Sequence, residues 1–170
     1  NFRYYPALYR TATGGVVAGS SIPLKSILSD KKVTIIQGTA ETIDWQAHTL
    51  TLAEGEVLDY DIMILGLGVV TNYFGIPGME DFSYSIKSFD AIKRFKEHLH
   101  KQIEDERRPD LNYVIVGAGP TGIELAGALP EYLRKVMAIH GVKPKAVHID
   151  LIEAAPRLLP RMPQDVSLSV

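Results

Sequence analysis

The feature that most limits what this chain can fold into is the run "NYVIVGAGPTGIELAGALPEYL", residues 112–133. Tyr113 to Val116 form an aromatic and β-branched stretch that predicts a buried strand, and three glycines follow it directly before a long helical pattern. Each glycine has its own steric reason. Gly117 permits a tight turn, Gly119 lets the backbone approach a pyrophosphate without a Cβ in the way, and Gly122 lets helix and strand pack closely. Pro120 pre-sets the backbone where its missing N–H costs little. The free N–H groups beyond it, beginning at Thr121, sit at the positive end of the helix dipole and favour a phosphate without help from a basic side chain. The helical pattern continues to His140, Val147 to Ile152 forms a second strand, and Glu153 ends it. That order is βαβ.

A carboxylate at the position of Glu153 accepts hydrogen bonds from the adenosine ribose hydroxyls and meets a 2′-phosphate with like charge. The unit therefore reads as a site for NADH in preference to NADPH, with Arg157 the nearby residue that would favour a 2′-phosphate. Glu153 lies further from Gly117 than the usual interval of about 20 residues. An extended helix and the loop "HGVKPKA" before Val147 would absorb the excess. Pro130 inside the helical pattern removes one backbone donor and predicts a kink or two abutting helices.

Elsewhere the pattern is α/β with a small antiparallel component. Residues 1–19 read as irregular structure around a short helix, and Ser21 to Leu28 as another short helix. Val33 to Ile36 reads as a strand. Thr39 to Asp44, His48 to Leu52 and Val57 to Tyr60 suggest an antiparallel meander, with Trp45 packed beside its first turn. The run "DYDIMILGLG", residues 59–68, is apolar enough for a strand buried on both faces. Asn72, Gly75, Pro77 and Gly78 then mark a domain crossover. Ser88 can cap a helix from Phe89 to about Glu106, with Ile92, Phe95, Leu99 and Ile103 on one face. The sequence "RRPD" at 107–110 ends it.

Composition removes whole classes of function. There is no cysteine, hence no disulfide, cysteine zinc site, iron–sulfur cluster or thiol nucleophile. Redox chemistry by this chain requires a bound cofactor. Lys plus Arg number 18 against 20 Asp plus Glu, a formal charge of −2 that gives no field for nucleic acid. The longest apolar run, Ile62 to Val70, falls well short of the roughly 20 residues that span a bilayer. The chain opens on Asn1 and shows no leader, and both ends read as cut, so an internal fragment is expected. His98 and His100, two apart on a helix, project to different sides and read as solvent-facing. His48, His140 and His148 have no ligand-spaced partners, so no metal is expected. "GSSIP" at Gly19 lacks the second glycine of a nucleophile elbow, and no P-loop lysine follows Gly122.

Glu124, in the first turns of the helix, reads from the residues alone as a charge suited to the dipole. "VGAGPTGIELAGAL" (116–129) with "LIEAAPRLLP" (151–160) resembles the NADH-binding domain of two-dinucleotide flavoproteins. With "NFRYYPALYRTATGG", "GEVLDYDIMILGLG" and "NYFGIPGMED", the likeness extends to the type II NADH dehydrogenases of the pyridine nucleotide-disulfide oxidoreductase superfamily. That resemblance implies hydride transfer from NADH to FAD and electron delivery to a quinone. It implies a partial FAD-binding domain over 1–75 and a partial NADH-binding domain over 76–170, with the remaining FAD segments and membrane-attaching helices elsewhere in a parent protein. Ala40 and Gly66, Leu67 and Gly68 match positions along FAD, and Thr13 and Gly14 match a stretch nearer the flavin. Glu124 matches the acid facing the nicotinamide, which makes it the candidate catalytic residue.

The implied parent is cytoplasmic and peripheral on the inner face of the cell membrane. Whether it forms a homodimer is left open. The isolated chain is expected to bind NADH, to lack FAD and to be inactive. The alternatives are an NADH oxidase or a ferredoxin or rubredoxin reductase of the same fold, and a non-catalytic nucleotide-binding domain.

Overall fold

A computed structural model describes residues 1–106 and 112–170. The helix end expected at 107–110 lies outside the described residues. In chain order the elements are β1 (Phe2–Arg3), α1 (Leu8–Ala12), β2 (Ser21–Ile22), α2 (Leu24–Leu28), β3 (Ala40–Asp44), β4 (Thr49–Leu52) and β5 (Val57–Asp59). There follow α3 (Met79–Phe82), α4 (Phe89–Glu106), β6 (Asn112–Val116), α5 (Pro120–Ile139), β7 (His148–Ile152) and α6 (Gln164–Leu168). They fall into two compact units, one of Asn1–Leu24 with Val70–Val170 and one of Lys25–Val69.

The larger unit is built on α4 and α5. Ser88 Oγ accepts the Ala91 N–H at 3.2 Å, satisfying one of the free donors of the first turn of α4. From there Ile92, Phe95, Leu99 and Ile103 recur at helical spacing and are all buried, 0 to 9% exposed. Burial of each stabilises the fold by about 1.5–3 kcal/mol. They meet Leu129, Leu133 and Val136 of α5 and Leu8 and Ala12 of α1 in one core. α5 runs as a single helix through Pro130. The expected division into two helices is absent, because Pro130 takes away only its own hydrogen bond to the turn before it and the buried face on either side is continuous.

β6 and β7 pair in parallel, Asn112 opposite His148 through Val116 opposite Ile152, joined by the α5 crossover. Only one face of this pair is covered. Ile115 is buried and Tyr113, Ile149 and Leu151 pack onto the core, whereas Val114, Val116 and Ile152 are more than half exposed. The expectation of a fully buried β6 is corrected accordingly: it alternates, because α5 lies against one face and joins it to the core.

In the smaller unit β3, β4 and β5 form the expected antiparallel meander, with Ile43 opposite Leu50 and Leu50 opposite Leu58. Asp44 accepts the N–H groups of Gln46 and Ala47 at 2.9 and 2.8 Å, which makes the first turn. Those bonds hold its carboxyl below the usual aspartate range. Three other expectations fail here. Trp45 is 62% exposed instead of packed. Residues 33–36 and 61–70 form no strand, and Ile62, Ile64, Leu67 and Val70 are more than four-fifths exposed. An apolar run becomes a strand only with a neighbour to accept its ladder, and no described strand pairs with these.

No helix among the described residues is long and apolar enough to cross a membrane.

Candidate functional site: a glycine turn between parallel strands

The parallel pair ends where the candidate site begins. Gly117 donates its N–H to the Ile152 carbonyl at 2.8 Å, adding one rung to the ladder, and then turns with φ +104. That backbone region is open to glycine and costly for other residues. Gly119 is the residue before α5, with φ −73 and ψ 178, and no side chain caps the helix. Its missing Cβ would point into open space. At Gly122 the case is reversed: a Cβ there would be driven into the carbonyl oxygen of Gly117. Strand and helix thus approach through Gly122, while the space over Gly119 stays free. Pro120 opens the helix, Thr121 is exposed beside it, and no acid occupies the first turn.

Glu153 stands at the end of β7, across from this turn. Its Oε2 accepts the Ala118 N–H at 2.9 Å and its Oε1 accepts the Ala155 N–H at 3.0 Å. These bonds, Ala155 first and Ala118 second, hold its carboxyl below the usual glutamate range. The Ala118 carbonyl in turn accepts the N–H of Leu159 at 2.9 Å. Ala118 is fully buried, and both its backbone groups are held by the segment after β7. Nothing in the sequence pattern marks Ala118 or Leu159, since their partnership depends on a loop folding back.

The structure brings Gly117, Gly119, Pro120, Thr121, Gly122 and Glu153 to one corner. Glu124 is exposed, about one turn further along α5. Its charge reaches the Arg10 guanidinium on α1, whose pKa is raised first by the Tyr9 hydroxyl and to a lesser degree by Glu124. Thr13 Oγ donates to the Tyr9 carbonyl at 2.9 Å. Gly14, at φ +95, leaves room for the Tyr132 ring of α5, which a Cβ would crowd at 3.1 Å. The Thr13 segment therefore rests on the same helix that carries Glu124.

Ala40 and Gly66, Leu67 and Gly68 belong to the other unit. Ala40 opens β3 beside a bulge, and the 66–68 segment is irregular and exposed, with Gly68 at φ +77. A hollow of about 390 Å³ in that unit, lined by Gln46, His48, Asp59 and Tyr60 among others, contains none of these residues.

The histidines divide. His98 stacks on Tyr84 with centroids 5.0 Å apart, and His148 pairs with Asp150 at 3.1 Å on the exposed face. His100 is not solvent-facing as its spacing suggested. It is half-buried, with Nδ1 2.9 Å from His140 Nε2 and Nε2 3.3 Å from the Tyr132 hydroxyl. Among the described residues no group of three His, Asp or Glu side chains could hold a metal.

A parallel βαβ unit whose crossover helix opens on a glycine turn, with an acid ending the second strand, defines an α/β protein of Rossmann type, an architecture that holds dinucleotides at such a turn. The chain belongs to the pyridine nucleotide-disulphide oxidoreductase family, whose profile matches residues 6–170. It is 31% identical over 144 residues to a type II NADH:quinone oxidoreductase of Staphylococcus haemolyticus, covering 81% of this chain and 36% of that protein. The NDH2 of Plasmodium falciparum superposes with a TM-score of 0.78 at 21% identity, over 97% of this chain and 37% of that one. A ferredoxin reductase from Rhodopseudomonas palustris superposes with a TM-score of 0.62 at 20% identity, over 96% of this chain and 36% of that one. At these identities the two structures establish the fold. The chain spans little more than a third of each relative.

Proposed function

We propose that this chain is the nucleotide-binding portion of a flavin-dependent NADH:quinone oxidoreductase. The observation that carries the reading is the open glycine turn. Among the described residues a Cβ at Gly119 would meet nothing within 4 Å beyond its chain neighbours, at the start of a 20-residue helix without a side-chain cap, with Glu153 bonded to the adjacent Ala118. An NADH pyrophosphate fits that cradle, held by N–H groups of the first turn of α5, with Thr121 at its side. Glu153 would exchange its bonds to Ala118 and Ala155 for the ribose hydroxyls, and its charge would disfavour a 2′-phosphate. Glu124, further along the same helix, would face the nicotinamide.

The division of the parent at residue 75 into flavin and nucleotide domains belongs to the same reading. So do the roles of Ala40, Gly66, Leu67, Gly68 and Thr13 along FAD. When bound, FAD supplies the two-electron acceptor for the NADH hydride and the donor to a quinone. The 66–68 backbone is exposed and free of side-chain cover at Gly66, as contact with such a group requires. Attachment to the inner face of the cell membrane is proposed from the resemblance to type II enzymes. The choice of quinone over another acceptor rests on the relatives named for it, because ferredoxin reductases share the fold.

Titration of NADH and NADPH into the purified chain tests the reading. NADH should bind more tightly, and Glu153→Ala should weaken NADH and narrow the difference between the two. An unchanged preference in that variant would remove Glu153 from the site. The colour of the purified protein reports on the flavin. A colourless sample is expected, and a yellow one would show that these residues alone retain FAD.

A further inference from the structure

The loop after β7 carries a cation that is balanced by no carboxylate within ion-pair distance among the described residues. Three of the five N–H donors of the Arg157 guanidinium go to carbonyls of its own loop. Nη2 donates to Pro160 at 2.9 Å and Met162 at 2.7 Å, and Nη1 to Leu159 at 3.4 Å. The chain reverses around that fork, and Leu159 takes φ +47, a region that a branched L-residue rarely adopts. Leu159 is nonetheless buried, at 7% exposure, and delivers its N–H to the Ala118 carbonyl in the middle of the glycine turn. Glu153 holds the N–H of the same residue. The geometry of the turn therefore depends on a loop conformation that its own backbone disfavours and Arg157 supports.

We propose that Arg157 is a positioning residue for the dinucleotide. It folds residues 157–162 so that Leu159 locks Ala118, and both Nη2 protons, committed to Pro160 and Met162, are not offered to a 2′-phosphate. This rests on the NADH reading of the turn and reverses the expectation that Arg157 would favour NADPH. A lysine cannot replace it, because one ammonium on a flexible stem does not reproduce a planar fork that bonds three carbonyls.

The test uses the whole chain in four forms: unaltered, Arg157→Lys, Leu159→Gly and the double variant, each titrated with NADH and NADPH. Arg157→Lys should weaken NADH roughly tenfold, the size expected of coupled neighbours, and weaken NADPH in proportion. In the Leu159→Gly background the left-handed turn no longer needs support, so the same substitution should change NADH affinity by less than about twofold. A loss confined to NADPH would make Arg157 a phosphate ligand and overturn the proposal. An equal loss in both backgrounds would overturn it as well.

Amide exchange at Leu159, measured without nucleotide, is an independent readout. Arg157→Lys should accelerate it, and unchanged exchange overturns the positioning role. If the unaltered chain binds neither nucleotide, the NADH reading fails on its own and exchange alone decides the role of Arg157.

Discussion

Gly119 and Gly122 lie three positions apart and should respond oppositely to the same substitution. Gly119→Ala adds a Cβ to open space at a φ that alanine adopts freely, so stability should fall by no more than about 1 kcal/mol, the scale of a lost N-cap preference. NADH affinity should drop steeply if the pyrophosphate occupies that space. Gly122→Ala forces its Cβ against the Gly117 carbonyl, and the backbone must shift, at a cost of about 1–3 kcal/mol or more. Urea denaturation read beside NADH titration separates the two, and a stable Gly122→Ala variant would contradict the close approach. The steric surroundings of the two glycines were legible in the sequence because each is a local requirement at a fixed offset from a strand. The ties from Glu153 and Leu159 to Ala118 were not legible, since they form across the turn only after β7 has paired with β6. Glu153 adds a pH signature. Its carboxyl is held below the ordinary value of about 4.3, so its bonds stabilise the fold above that pH and are lost as pH falls through the lowered value. Glu153→Gln should flatten that acid limb in a denaturation series.

Among the elements, α4 was the most legible and its partner contacts the least. The spacing of Ile92, Phe95, Leu99 and Ile103 names the buried face, but not what that face meets. What it meets explains His100. Next to the core face, the ring of His100 on α4 faces His140 and Tyr132 at the end and middle of α5, with Lys96 and Glu104 on its own helix. Burial lowers its pKa most, the His140 and Lys96 charges lower it further, and Glu104 opposes them. A histidine held neutral favours the fold above its ordinary pKa of about 6.5, and the benefit is lost as pH falls through the lowered value. The thermal midpoint should therefore fall on acidification below neutrality, and less so in His100→Gln, which cannot take up the proton. Equal acid sensitivity in both proteins would show that the α4–α5 contact does not depend on that proton.

The whole molecule explains why a strong strand signal produced no strand. Residues 62–70 have the continuous apolar character of a strand covered on both faces, and the meander just before them formed where its alternation predicted. The difference is supply of partners. β3, β4 and β5 pair with one another through short turns, whereas a doubly covered parallel strand depends on neighbours distant in sequence, and none of the described strands fills that role. The chain corresponds to little more than a third of the length of its relatives. The consequence of the missing pairing is an exposed apolar surface of the kind that promotes self-association. Ile64 and Leu67, 89 and 87% exposed, are the positions at which to interrupt it. Ile64→Lys and Leu67→Lys should leave the denaturation midpoint within the change typical of surface sites, about 0.5 kcal/mol. Light scattering should show less association in the same variants. A large loss of stability instead would mean that these side chains are buried in solution, and the strand that the sequence pattern predicts would then be formed by the chain itself.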